Sequence, residues 1–139
     1  MLIRYAEILL NYAEALNEAQ GPMPAVYTYV NMVRTRAGMP VLATALTQVQ
    51  MREKIHNERR VELCFEEHRF FDVRRWKEGE IYFNKPVTGI NIIADAAGNP
   101  LTYQRFTVQN RVFQAKHYLF PFPQAQIDLG PNLKQNTGW

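Results

Sequence analysis

The chain has 139 residues, 47% of them hydrophobic and 12% aromatic, which fits one globular domain and excludes a disordered segment. A chain of this length removes about two-thirds of its unfolded surface from water on folding. The formal charge is +3, but the basic residues come as short pairs among acids, such as Arg59-Arg60 and Arg74-Arg75, so the pattern argues against nucleic-acid binding.

In chain order, residues 2–20 read as a helix with two apolar stripes. Leu2, Ala6, Leu9, Ala13 and Leu16 form one; Tyr5, Ile8, Tyr12, Ala15 and Ala19 form the other; Arg4, Glu7, Asn11, Glu14 and Glu18 make a polar third. Two stripes call for two packing partners. Gly21 suits a left-handed cap, and Pro22 and Pro24 suit the start of a next helix. That helix is expected over 23–37, with Val26, Val30, Val33 and Ala37 inward and Gly38 and Pro40 ending it. A third helix starts near Thr47, where Thr47 and Gln50 fit a capping box, and is expected to reach about Glu67. Residues 69–77 form a further helix or its bent continuation.

Residues 57–76 mix charge and apolar side chains all the way round, unlike a one-faced surface helix. Five arginines, four glutamates and Asp72 stand among Leu63, Phe65, Phe70, Phe71 and Trp76. Such a segment is expected to be buried on several sides with its charges paired. The expected ion-pair network comprises Glu58, Arg59, Glu62, Arg69, Asp72 and Arg74, with Arg60 also near the acids. Cys64, between Leu63 and Phe65, is expected to pack as a small apolar group; as the only cysteine it forms no internal disulfide.

Beyond residue 78 the character changes. Gly79, Pro86, Gly89 and Gly98-Asn99-Pro100 are turn signals, and residues 89–93 and 104–112 read as short strands or extended loops. Residues 117–139 are expected to form an extended, proline-punctuated tail lying across the helices.

Little in this pattern carries catalysis. His56, Glu58, Glu62, Glu66, His68 and Asp72 could suggest a metal site, but the arrangement that aims two imidazoles at one ion is missing, and neighbouring arginines neutralise the acids. Glu66 and Glu67 are adjacent and face different ways, unlike a glycosidase pair. There is no Gly-x-Ser-x-Gly turn and no phosphate loop. No metal and no cofactor is expected. No apolar run approaches the roughly 18 residues of a membrane span, and residues 1–20, charged at Arg4, Glu7, Glu14 and Glu18, do not read as a secretory leader.

Four ordered blocks resemble the SusD/RagB family. Residues 57–76 are similar to its "NERRxELxFEGxRFFDLRRW" signature. Residues 4–18, 30–38, and 118–123 with 132–139 match three further family blocks. The departures are Glu67 where glycine is usual and Thr137 where proline is usual. The resemblance covers most of the chain except 79–116. It implies a mainly α fold: a TPR-like helical hairpin plus a long charged helix, then an irregular and partly extended C-terminal half. Within 1–139, residues 1–78 would be helical, 79–116 variable and 117–139 a tail.

The resemblance further implies a non-enzymatic, surface-exposed outer-membrane lipoprotein that binds oligosaccharide and passes it to a SusC-like TonB-dependent transporter. RagB-type relatives take peptide. Family members are several times longer, so the chain would correspond to their C-terminal part, with a further N-terminal region as a partner. The rival expectation is an interaction module with no ligand of its own. If that N-terminal region normally covers the second stripe of the first helix, the chain alone would expose Tyr5, Ile8 and Tyr12 and self-associate. Tyr5, Tyr12, Phe65, Phe70, Phe71 and Trp76 are expected in the core. The candidate carbohydrate-binding residues lie in the divergent segment, where specificity on a scaffold tends to reside: Tyr82, Tyr103, Arg105 and Phe106, with Phe83 beside them.

Overall fold

The computed structural model describes residues 3–139; Leu2, expected at the head of the first stripe, lies outside them. The chain divides into two compact units, Met1–Arg69 and Phe70–Trp139.

The first unit is three helices, α1 (Tyr5–Gln20), α2 (Pro24–Arg36) and α3 (Gln48–Glu62). Gly21 closes α1 at φ 82°, its N–H bonded to the Asn17 carbonyl. Pro24 opens α2, where its missing N–H costs nothing. The capping box at Thr47 forms as its sequence implies, the hydroxyl accepting from Gln50 N and the Gln50 side chain accepting from Thr47 N. Ala13, Val26, Val30, Met51 and Ile55 build one cluster of the core, and Ala6, Leu9, Leu10 and Val33 build a second.

The buried arc of α1 is rotated from the expected stripe. Leu10, Glu14 and Asn17 lie inside, whereas Tyr5 (69%), Ile8 (48%) and Tyr12 (51%) stay exposed. Ala37 caps α2 and is exposed, not inward. A buried asparagine requires partners; the Asn17 side-chain amide donates to the Gln48 carbonyl while the Gln48 amide donates to the Asn17 carbonyl. These two bonds fix the start of α3 against the end of α1.

Helix α3 stops at Glu62, not near Glu67. Phe65 and Glu67 both take left-handed backbone, φ 64° and 65°, and this turns the chain outward. Phe65 is therefore 101% exposed and Cys64 is exposed as well, contrary to the expectation that both are core. The next helix, α4 (His68–Arg75), buries Asp72 and Val73. Phe71 also lies outside the core, Phe70 is 40% exposed and Trp76 is half-buried.

The second unit holds α5 (Gly79–Phe83), strands β1 (Val87–Ala94) and β2 (Pro100–Gln109), a 3-10 turn (Ala115–Tyr118) and α6 (Gln124–Leu129). The strands form one antiparallel hairpin pairing Ile90 with Arg105 and Ile92 with Tyr103. Asp95 shapes its turn, accepting from the backbone of Ala97 and Asn99, with Gly98 at φ 87°. Strand β2 begins four residues earlier than expected and ends at Gln109. The expected extended tail contains the short helix α6. A ring cluster substitutes for an aliphatic core: Phe113 is buried against Phe83, His117 and Tyr118 at centroid distances of 4.9–5.5 Å. Gly79 sits directly beneath the Phe113 ring and donates its N–H to the Tyr118 hydroxyl.

Candidate functional site

The ion pairs of the first unit join different helices. Glu58 is bound by Arg34 of α2 at 2.7 Å. Glu62 accepts from both Arg4 (2.8 Å) and Arg36 (2.6 Å). Arg59, 3% exposed, lies 3.8 Å from Glu14 and donates to the Asn11 side chain. Arg4 also holds Glu66 at 2.6 Å; the guanidinium keeps the Glu66 carboxyl below the usual range, and the two carboxylates raise Arg4 further. Arg52 binds Glu18 in the same way, and His68 lies 3.7 Å from Glu7. The arginine partners Arg4, Arg34 and Arg36 come from outside the segment that sequence spacing singles out. Arg69 is half-buried.

In the second unit, Asp72 pairs with Arg75 at 3.0 Å. Arg74 takes another environment. Its Nε donates to the His117 carbonyl at 2.9 Å, and its guanidinium lies 3.7 Å from the Phe70 ring centroid and 4.9 Å from that of Phe120. Burial among these rings lowers its affinity for the proton.

The four candidate ligand residues do not converge on one point. Alternation along β2 sets Tyr103 and Arg105 on one face of the hairpin, opposite Ile92 and Ile90, and Phe106 on the other. The Phe106 ring covers Gly89, where an added Cβ would meet it at 2.8 Å. Tyr82 stands on α5, half-buried, with Lys85 Nζ 5.5 Å from its ring. Tyr103 and Arg105 thus offer a ring and a planar cation, two residues apart, on a fully exposed sheet face. That pairing can stack on a sugar ring and hydrogen-bond its hydroxyls.

Among the described residues, each unit carries a shallow groove. In the first, about 410 Å³ of open groove is lined by Arg4, Tyr5, Leu9, Met32, Val33 and Arg36. In the second, about 340 Å³ is bounded by Ala115, Lys116, Leu119, Gln135, Asn136 and Thr137. The walls of the second groove are tied to the tail: Gln135 exchanges two hydrogen bonds with the Phe122 backbone. Asn136 donates to the Phe120 carbonyl, and the Trp139 indole donates to that of Lys116. Among the described residues no group of three or more His, Cys, Asp or Glu side chains is gathered as a metal ion would require, and no helix is long and apolar enough to cross a membrane.

Comparison with known proteins identifies the class. The SusD family model matches residues 1–139. SusD-like protein P2 of Formosa agariphila is 33% identical over 142 residues, covering 97% of this chain and 25% of that protein. The crystal structure of a SusD-like protein from Bacteroides fragilis superposes with a TM-score of 0.87 at 38% identity, covering 99% of this chain and 25% of the other. A second B. fragilis structure, of a SusD-like carbohydrate binding protein, gives a TM-score of 0.76 at 32% identity over 95% of this chain and 28% of the other. The chain belongs to the SusD family, and it spans about a quarter of the length of these relatives.

Proposed function

We propose that the chain is the C-terminal part of a surface glycan-binding SusD-like lipoprotein of the outer membrane, delivering oligosaccharide to a TonB-dependent SusC-like transporter. The carrying observation is the family match along the whole chain, joined to an exposed hairpin face bearing Tyr103 and Arg105. On this reading the chain works by binding and hand-over without a covalent step. Contact comes from ring stacking and charge-assisted hydrogen bonds.

A second reading rests on a different observation. Tyr5, Ile8 and Tyr12 leave one stripe of α1 exposed, which favours a scaffold that docks the transporter or a further N-terminal region and binds no ligand itself. Peptide in place of glycan is a variant of the first reading.

The test is a glycan and peptide array probed with this chain beside a full-length SusD-like relative. Binding by both supports a cargo surface in these residues, with Tyr103→Ala, Arg105→Ala and Tyr82→Ala the first variants to weaken it. Binding by the relative alone assigns the chain the docking role.

A further inference from the structure

The two units handle their cations differently. Residues 1–69 contain eight Lys and Arg and eight Asp and Glu, whereas residues 70–139 contain eight and five, so the whole formal +3 resides in the second unit. In the first unit the arginines meet carboxylates. In the second, Arg75 pairs with Asp72, but the other cations near rings have no carboxylate in the pairing: Arg74 on Phe70, Lys77 on Tyr118, Lys85 near Tyr82 and Lys116 on Trp139, at 3.7–5.5 Å from the ring centroids. A ring quadrupole attracts a cation and fixes its position, but it brings no opposite charge. The positive potential of this unit therefore persists for an incoming anion.

One of these pairs borders a formed groove. Lys116 lines the 340 Å³ groove of the second unit, with its Nζ 4.7 Å from the Trp139 ring centroid. That volume falls in the range of about 300–1,000 Å³ common to small-molecule sites. The groove is also braced before any ligand arrives, because Gln135, Asn136 and Trp139 are each tied to backbone carbonyls. A preformed wall lowers the ordering cost of binding.

We infer that this groove takes an anionic sugar, a carboxylate- or sulfate-bearing unit of an oligosaccharide, with Lys116 meeting its charge. The inference rests on the glycan-binding reading above and deepens it.

The experiment titrates the chain calorimetrically with three sets of oligosaccharides of matched length: neutral, uronate-bearing and sulfated. An acidic set binding about tenfold tighter than the neutral one, in keeping with one charge-assisted contact, and weakening with added salt, supports the inference. The two acidic arms identify which anion is preferred. Lys116→Gln removes the preference, Lys116→Arg keeps it, and Lys134→Gln, which removes the same net charge outside the groove, leaves it intact. The indole N–H resonance of Trp139 shifts on binding in the wild type. Equal affinity for neutral and acidic sets overturns the acidic preference and leaves the glycan reading standing. Equal losses in Lys116→Gln and Lys134→Gln overturn the groove as the site. Binding by none of the three sets overturns both the inference and the reading beneath it.

Discussion

Arg34 and Glu58 meet across α2 and α3 at 2.7 Å, with 16% and 9% of their side chains exposed. The same guanidinium donates through Nε to the Pro40 carbonyl at 2.9 Å, so one side chain joins two helices and the loop between them. Glu58→Ala strips the carboxylate from a largely buried cation. The expected cost is about 3 kcal/mol, read as a lower urea midpoint at unchanged slope. A loss below about 1 kcal/mol, the worth of an exposed pair, would contradict the buried assignment.

Glu67 adopts φ 65° at the position where the family signature carries glycine. A side chain costs about 1–2 kcal/mol in left-handed backbone, and glycine avoids this at some expense in chain entropy. Glu67 is exposed, so little contact is lost with it. Glu67→Gly is expected to stabilise the chain by about 0.5–1 kcal/mol, checked by thermal and urea unfolding. Destabilisation would mean that the break between α3 and α4 relies on the glutamate.

The sequence shows the helices well because period and punctuation agree: Gly21 with Pro24, Gly38 with Pro40, and Thr47 with Gln50 all mark real boundaries. Gly98-Asn99-Pro100 marks the hairpin turn, but residues 104–112 read equally as strand or loop and Tyr103 falls outside them, so the face it shares with Arg105 emerges only from the observed pairing. The family's usual glycine hints at the turn at Glu67, but the one at Phe65 is not legible, since left-handed backbone at residues other than glycine leaves little trace in sequence. Reading 57–76 as continuous burial consequently misplaces Cys64 and Phe65. Ion-pair partners fail for a related reason. Spacing along one helix cannot anticipate that Arg4, Arg34 and Arg36 arrive from other helices, nor that Arg74 rests on Phe70 instead of a carboxylate. The helical wheel of α1 likewise does not say that Asn17 turns inward to exchange amide bonds with Gln48.

Acid should weaken the fold through particular carboxylates. Arg52 holds Glu18 below its ordinary 4.5 through a side-chain hydrogen bond, against the opposing effect of burial. Asn99, followed by turn amides, holds Asp95 below its ordinary 3.8. A carboxyl depressed in the folded state contributes stability that is complete above its unfolded value and is lost as pH falls through the folded one. Stability attributable to these groups is therefore constant down to about pH 5 and declines below. Glu18→Gln should shallow that decline while leaving its position otherwise unchanged. An unaltered slope in urea titrations from pH 6 to 3 would remove Glu18 from the account.

Gly79 shows why the second unit needs a residue without a side chain. A Cβ there would lie 2.3 Å from the Phe113 ring, which is held by Phe83, His117 and Tyr118. Gly79→Ala is expected to cost about 2 kcal/mol by overpacking, and Phe113→Leu in the same chain should recover part of it. Additive losses in the double variant, measured by urea unfolding, would indicate that the ring and Gly79 do not act on each other.

The exposed stripe of α1 makes the last prediction. Tyr5, Ile8 and Tyr12 lie one turn apart on one face, with Tyr12 set edge-on to Tyr29 at 4.8 Å. Two tyrosines and an isoleucine together on a rigid helix form a contiguous apolar patch, and patches of that kind drive association. The isolated chain should therefore sediment as a concentration-dependent mixture of monomer and dimer. Ile8→Glu places a charge at the centre of the patch without touching the buried arc of Leu9, Leu10 and Ala13, so it should return the chain to monomer with its unfolding midpoint nearly unchanged. A wild-type chain that remains strictly monomeric at high concentration would show the stripe to be too weak to associate alone. If Ile8→Glu shifted the unfolding midpoint strongly, the stripe would belong to the fold of the unit itself and not to an interface.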